Sequence, residues 1–286
     1  MYLTKIKQVY IYHDIDIPQL PPIKVTYNES YEDIPTNKEI REAVTNSRTK
    51  MKAIITFLAS SGLRRSDAVR ITIKDFFSAT KDYHHREVFC DSDIIMIVDD
   101  LRRCKDVIPT FHIVSEKTET SHLAFCSSES VYFICLMIKE RLMKEDLCLE
   151  DSLFGISEFA VTRNFSRLND RLGFGWKENR RRFHPHSLRK FFATTLTVND
   201  VDYLSTEFLM GHKLSSVQSS YYFANPEKLK LKYSRVMPKL CFVTRINEVD
   251  LVSSELREMN RLREENKETR RRLYELEEMI DMLRNR

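Results

Sequence analysis

Three short segments gather the side chains with the greatest chemical reach: SGLRRSDAVRI at 61–71, HPHSLRKFFATTL at 184–196 and LMGHKLSSVQSSYYF at 209–223. Arg64 and Arg189 bring guanidinium groups, which stay charged at physiological pH and present forked donors suited to phosphate. His186 and His212 can move protons near neutrality. Tyr221 and Tyr222 are adjacent phenols, either of which can act as a nucleophile. Each has a plainer counterpart. Arg64 and Asp67, three residues apart, could be a surface ion pair. His186 could cap a helix beginning at Ser187, and His212 could be a buried structural histidine. A second concentration runs from Arg163 to Lys190, with nine Arg/Lys against Asp170 and Glu178. Its members Arg163, Arg167, Arg180, Arg181, Arg182 and Lys190 form a basic stretch of the kind that binds nucleic-acid phosphates by releasing counterions. An ordinary solvated helix face is the alternative.

These residues must be positioned by a scaffold that is mainly helical. The 286 residues include only five glycines, which argues against an all-β or loop-rich chain. The net charge of +4 does not by itself specify a partner. Six cysteines without CxxC spacing read as reduced thiols of a soluble, cytoplasmic protein, with neither a disulfide framework nor a zinc site. No stretch approaches the roughly 18 apolar residues a membrane span needs. Thr36 and Glu39 form a capping-box pattern before a helix. Ile54, Phe57, Leu58 and Leu63 recur at helical spacing until Ser60-Ser61-Gly62 breaks the run. A helix is expected over Ser66–Phe77. The apolar run Ile94–Val98 reads as β-rich, and Phe111, Ile113 alternate against Leu123, Phe125 about a polar turn, so a small antiparallel sheet is expected with Lys117 near its tip. Helices follow at Glu129–Glu145, Ser157–Leu172, Ser187–Val198, Tyr203–Met210 and Pro226–Met237. Tyr233 reads as a core aromatic beside Leu229 and Val236. The expected class is mainly α with a small antiparallel sheet (α+β), followed by a long C-terminal helix.

Taken together the three segments resemble the tyrosine recombinase family, the λ-type integrases. Arg64 after Gly62-Leu63, with Asp67 three residues on, matches the first family box, with Asp replacing the commoner Glu. His186-Ser187-Leu188-Arg189 matches the His-x-x-Arg box. Met210-Gly211-His212 matches the Leu-Gly-His element with Met for Leu, and Tyr221 stands nine residues beyond His212, where the family places its nucleophile. Lys117 fits the family's hairpin lysine, with Lys105 as the alternative. The resemblance covers about residues 36–240 and looks most like archaeal integrases.

It implies that Arg64 and Arg189 clamp a DNA phosphate, that Tyr221 forms a 3′-phosphotyrosyl bond, and that Lys117 protonates the leaving 5′-oxygen. His186 would take the tyrosine proton or hold the phosphate, His212 would hydrogen-bond it, and Asp67 would orient a catalytic side chain. The scheme calls for no cofactor and no metal, in keeping with a sequence that has neither a P-loop nor clustered carboxylates. If the nucleophile sat one residue later, Tyr222 would replace Tyr221. A type IB topoisomerase shares this chemistry, and a non-catalytic DNA-binding remnant is the reading from another class.

The chain departs from the family at both ends. Residues 1–35, with Pro18, Pro21, Pro22 and Pro35, read as the remnant of a core-binding domain and a linker, where the family carries about a hundred helical residues. Residues 36–247 are the expected catalytic domain. Residues 248–286 contain no Gly or Pro, and Met259, Leu262, Asn266, Thr269, Leu273, Leu276, Ile280 and Leu283 fall at alternating heptad positions. In that frame Glu258–Arg263, Glu265–Arg270 and Arg272–Glu277 would pair across a parallel dimer. The expected partners are double-stranded DNA and further copies of this chain, assembled as a tetramer on paired sites at the nucleoid; a single charged helix is the alternative.

Overall fold

In the computed structural model, residues 8–15, 33–84, 93–115, 120–177 and 180–243 are described. Lys117 and the expected coiled coil over 248–286 lie outside them. The chain divides into two units, Met1–Asp33 and Ile34–Arg286. Of the first, the described part is a helical turn over 8–12, the residues that close it, and Asp33.

The second unit is mainly helical. Helix α1 (Asn37–Thr45) starts at the expected capping box, with the Glu39 N–H donating to Thr36 Oγ1 and the Thr36 N–H donating back to Glu39. Helix α2 (Thr49–Ser61) is buried along most of its length, which places it at the centre of the core. The stretch expected as one helix over Ser66–Phe77 is two, α3 (Arg65–Arg70) and α4 (Ile73–Ala79). Thr72 separates them because its side chain caps α4 through Asp75, while Leu153 N–H donates to the Ile71 carbonyl and Ile73 N–H to that of Asp151. After the short α5 (Lys81–His84), the run expected as β is helix α6 (Asp93–Arg103). Its β-branched content misleads. Ile94, Ile97, Val98 and Leu101 are buried at helical spacing, whereas Ile95 and Met96 face solvent at 43% and 44% exposure.

The alternating segments pair as expected. Strands β1 (Thr110–Ser115) and β2 (Thr120–Phe125) run antiparallel, with His122 opposite Ile113 and Thr120 opposite Ser115. Helix α7 (Ser128–Leu142) packs on α2, and α8 (Glu158–Leu172) starts at a Ser157 cap. A two-residue ladder joins β3 (Trp176–Lys177) to β4 (Arg180–Arg181). Helix α9 (Pro185–Val198) begins at His184, not at His186, so the cap that the sequence could have assigned to His186 belongs to its neighbour. Helix α10 (Tyr203–Leu209) is followed by α11 (Ser216–Ala224), which starts at a further capping box, Ser215–Gln218. Helix α12 (Pro226–Val236) and a 3-10 turn (Met237–Leu240) close the unit. Tyr233 is fully buried, donates to the Ser60 carbonyl at 2.8 Å and sits against the Phe125 ring.

Candidate active site

Two loops and one sheet edge build the site. The first loop follows α2, where Gly62 takes the left-handed conformation (φ 64°) and a Cβ would lie 2.2 Å from the Phe192 ring. This turn sends Leu63 into the core and leaves Arg64 at the start of α3. The Arg64 guanidinium donates from Nη1 to Ser115 Oγ at 3.2 Å and to the Gly211 carbonyl at 3.3 Å. Asp67, one turn along α3, is 3.8 Å from the same nitrogen and accepts from Ser115 Oγ at 3.0 Å. Asp67 thus holds Ser115, and Ser115 holds Arg64. A solvated surface pair would not be buried in this way.

Arg189 approaches from α9 and is only 3% exposed. Its Nη1 donates to the Gly62 carbonyl at 2.7 Å, and its Nη2 donates to the Met210 carbonyl and lies 3.1 Å from His212 Nε2. Burial, then the charge of Arg64, pull its pKa down to about 10, against Asp67 and Glu207. It therefore remains a cation at pH 7. His212 is fixed from the other side by Glu207, whose Oε2 is 2.9 Å from Nδ1. A donating Nδ1–H leaves Nε2 as the acceptor facing Arg189. The second loop bends at Gly211 (φ 62°), whose missing Cβ would stand 2.5 Å from the His122 ring. Thr120 Oγ1 donates to the Gly211 carbonyl at 3.3 Å, so both described ends of the β1–β2 hairpin touch the site.

The structure therefore brings Arg64, Arg189 and His212 together. His186 lies one turn before Arg189 on the exposed start of α9, with its ring 6.3 Å from that of His184. Tyr221 stands on α11 at 70% exposure. Tyr222 points elsewhere: its ring stacks on Phe208 at 4.6 Å and its hydroxyl accepts from Ser205 at 3.4 Å. The members of the basic stretch differ in exposure. Arg163, Arg167 and Arg180 are exposed, and Lys190 is half-buried. Arg181 pairs through two 2.8 Å contacts with Asp170 and lies over Trp176, while Arg182 is paired with Glu39. Ser115, Thr120, His122 and Glu207 complete the site; Ser115 and Thr120 flank the polar turn of the expected hairpin, and no motif in the sequence marks His122 or Glu207. Glu207 reaches His212 across a helix end, which no regular spacing announces.

The chain belongs to the phage integrase family, whose model matches residues 35–228, a span that includes Arg64, Arg189, His212 and Tyr221. Among curated relatives, the tyrosine recombinase XerC of Pediococcus pentosaceus is 36% identical over 58 residues, covering 20% of this chain and 19% of that one. The chain thus aligns with about a fifth of that relative's length. Similar solved structures include the XerA recombinase (20% identity, 80% of this chain and 72% of that one, TM-score 0.43). The Tn1549 transposon integrase in complex with circular intermediate DNA is another (14% identity, 76% and 70%, TM-score 0.45). Among the described residues no helix is long and apolar enough to cross a membrane.

Proposed function

We propose that this chain is a site-specific DNA recombinase that breaks and rejoins DNA through a 3′-phosphotyrosyl intermediate. The observation that carries the reading is the convergence of two guanidinium groups, Arg64 and Arg189, with His212 on one spot. Backbone carbonyls, Ser115 and Glu207 hold the three in place. Attack of a tyrosine Oη on a phosphodiester puts negative charge on the nonbridging oxygens, and preoriented cations stabilise it without reorganising. The P–O5′ bond breaks as the P–Oη bond forms, the 5′-oxygen takes a proton from Lys117, and His186 or the solvent takes the phenolic proton. His212 donates to the phosphate from Nε2–H when both ring nitrogens carry protons, with Nδ1–H held by Glu207. Reversal with a new 5′-hydroxyl rejoins the strand, and no step calls for a metal ion or a nucleotide.

Tyr221 is the nucleophile in this reading. Its nine-residue spacing from His212 and its exposure support it, whereas the Tyr222 ring is committed to Phe208. The exposed Arg163, Arg167 and Arg180, with Lys190, are the proposed contacts to the DNA backbone. Residues 248–286 are proposed to join protomers on paired sites at the nucleoid, a role supported by their heptad pattern. Deleting them is expected to lower the sedimenting mass, and an unchanged monomer would reject that role.

The test of the catalytic reading uses supercoiled plasmid in EDTA with the parent, Tyr221→Phe and Tyr222→Phe. Relaxation and a detergent-stable protein–DNA adduct lost only in Tyr221→Phe are expected. Loss only in Tyr222→Phe would move the nucleophile by one residue. DNA binding with no adduct from the parent would leave a non-catalytic binding protein.

A further inference from the structure

The chain holds a third imidazole at this site that the family boxes do not contain. His122 lies on β2, on the same face of the hairpin as Ser115 and Thr120, since opposed residues in an antiparallel pair share a face. Those two neighbours hydrogen-bond the machinery directly, Ser115 through Arg64 and Asp67, Thr120 through the Gly211 carbonyl. His122 itself is 2% exposed. Among the described residues neither of its ring nitrogens makes a hydrogen bond of good geometry, and only the Thr120 backbone favours its proton. The Gly211 backbone lies across the ring, so close that a Cβ there would stand 2.5–2.8 Å from Cε1, Nε2 and Nδ1.

A buried polar group without well-formed hydrogen bonds is costly, and few are kept without a reason. A histidine kept only to fill space would be bettered by Phe or Leu. The surroundings narrow the reason. Burial first, then Arg189, Arg64 and His212, lower the affinity of the ring for a proton, while the Thr120 backbone acts the other way. The ring is therefore neutral, with one N–H donor and one lone pair. What comes to lie beside two guanidinium groups and His212 is an anion, and an anion can accept that N–H. Gly211, with positive φ and no side chain, is the part of the cover whose small shift would expose the ring.

We infer that His122 is a concealed phosphate-contacting residue, which donates its N–H to a nonbridging oxygen of the scissile phosphate once DNA is seated between Arg64 and Arg189. The inference rests on the assignment of this pocket to strand cleavage.

The experiment compares the full chain with His122→Phe on two nicked substrates, one with an ordinary scissile phosphodiester and one with a methylphosphonate, which lacks one charged oxygen. The Phe variant is expected to bind DNA with parental affinity and to melt no lower than the parent. On the phosphodiester it is expected to form adduct at least about tenfold more slowly, approaching the range seen when one oxyanion donor is removed. On the methylphosphonate the ratio of parent to variant is expected to shrink toward one. A Phe variant that cleaves the phosphodiester at the parental rate would overturn the inference, as would the same ratio on both substrates. Should the Phe variant fail to fold, His122→Leu, which also lacks an N–H donor, gives the same two-substrate comparison. A parent that forms no adduct on either substrate would instead refute the assignment of the pocket.

Discussion

The same histidine gives a stability measurement whose size can be worked out in advance. The folded pKa of His122 is held down to about 4, mainly by burial and then by Arg189, Arg64 and His212, from an ordinary 6.5. Between those two values the unfolded chain binds the proton and the folded chain does not, so stability falls as pH falls. The gap of about 2.5 pH units, at about 1.36 kcal/mol each, is a loss of roughly 3 kcal/mol that is complete near pH 4. Phe at position 122 has no proton to take up. At pH 8 it also removes two buried nitrogens that, among the described residues, lack a well-formed hydrogen bond, a gain of about 1–3 kcal/mol. One kcal/mol moves Tm by roughly 2–4 °C in a unit of this size. In differential scanning calorimetry, His122→Phe should therefore melt a few degrees above the parent at pH 8. Toward pH 4 that gap should widen by roughly 6–12 °C. A difference in Tm that stays constant between pH 8 and pH 4 would refute the argument, because it would mean that His122 titrates normally in the fold.

Three further outcomes follow from other side chains. Glu207→Gln removes the charge that fixes His212 Nδ1; adduct formation should slow roughly 10- to 100-fold, part of what one donor to the developing phosphate charge supplies, with the Kd for DNA unchanged in a filter-binding assay. In that assay Arg163→Ala with Arg167→Ala should reduce the slope of log K against log salt by about 0.9 for each phosphate no longer neutralised. Arg181→Ala, whose partner is Asp170, should leave the slope as it is. Glu129 is buried, and burial raises its carboxyl to about 7 against the pull of the Phe242 and Val243 N–H groups and Arg41. Its sign is opposite to that of His122, since the folded chain binds the proton first between pH 7 and the ordinary value of 4.5. Relative to Glu129→Gln, the parent should gain up to about 3 kcal/mol as pH falls through that window, read from paired urea titrations.

Local rules made some of this legible in the sequence and hid the rest. The cap at Thr36, the break at Gly62 and the alternation in 111–125 depend on a few neighbouring residues, so they could be read directly. Ile94–Val98 could not, because five apolar residues fit either period and the deciding residues, Leu101 and the solvent-facing Ile95 and Met96, declare themselves only over eleven positions. Arg64, Arg189 and His212 carried a spacing signal. Glu207, Ser115 and His122 did not, because each acts through a partner brought near by folding. Arg182 shows the converse: in a run of three arginines it reads as a DNA contact, yet its charge is met by Glu39 at the start of α1.

The manner in which the two arginines are held explains why glycines sit inside the boxes. A guanidinium that must receive a phosphate keeps more of its pull on the substrate when dipoles, and not a close carboxylate fork, do most of the orienting. Here Arg189 is aimed by the carbonyls of Gly62 and Met210, and Arg64 by that of Gly211 and by Ser115, with the Asp67 carboxylate farther off at 3.8 Å. Carbonyl dipoles fix direction while leaving the positive charge in place. To turn those carbonyls inward, both loops reverse in the left-handed region at Gly62 and Gly211, and both do so against an aromatic ring, Phe192 in one case and His122 in the other. Alanine at either position meets a double cost, positive φ and a Cβ within 3 Å of a buried ring. The Gly-Leu-Arg and Gly-His elements are thus statements about backbone direction as much as about chemistry. The side chains that act on the phosphate are placed by the main chain of the loops that carry them.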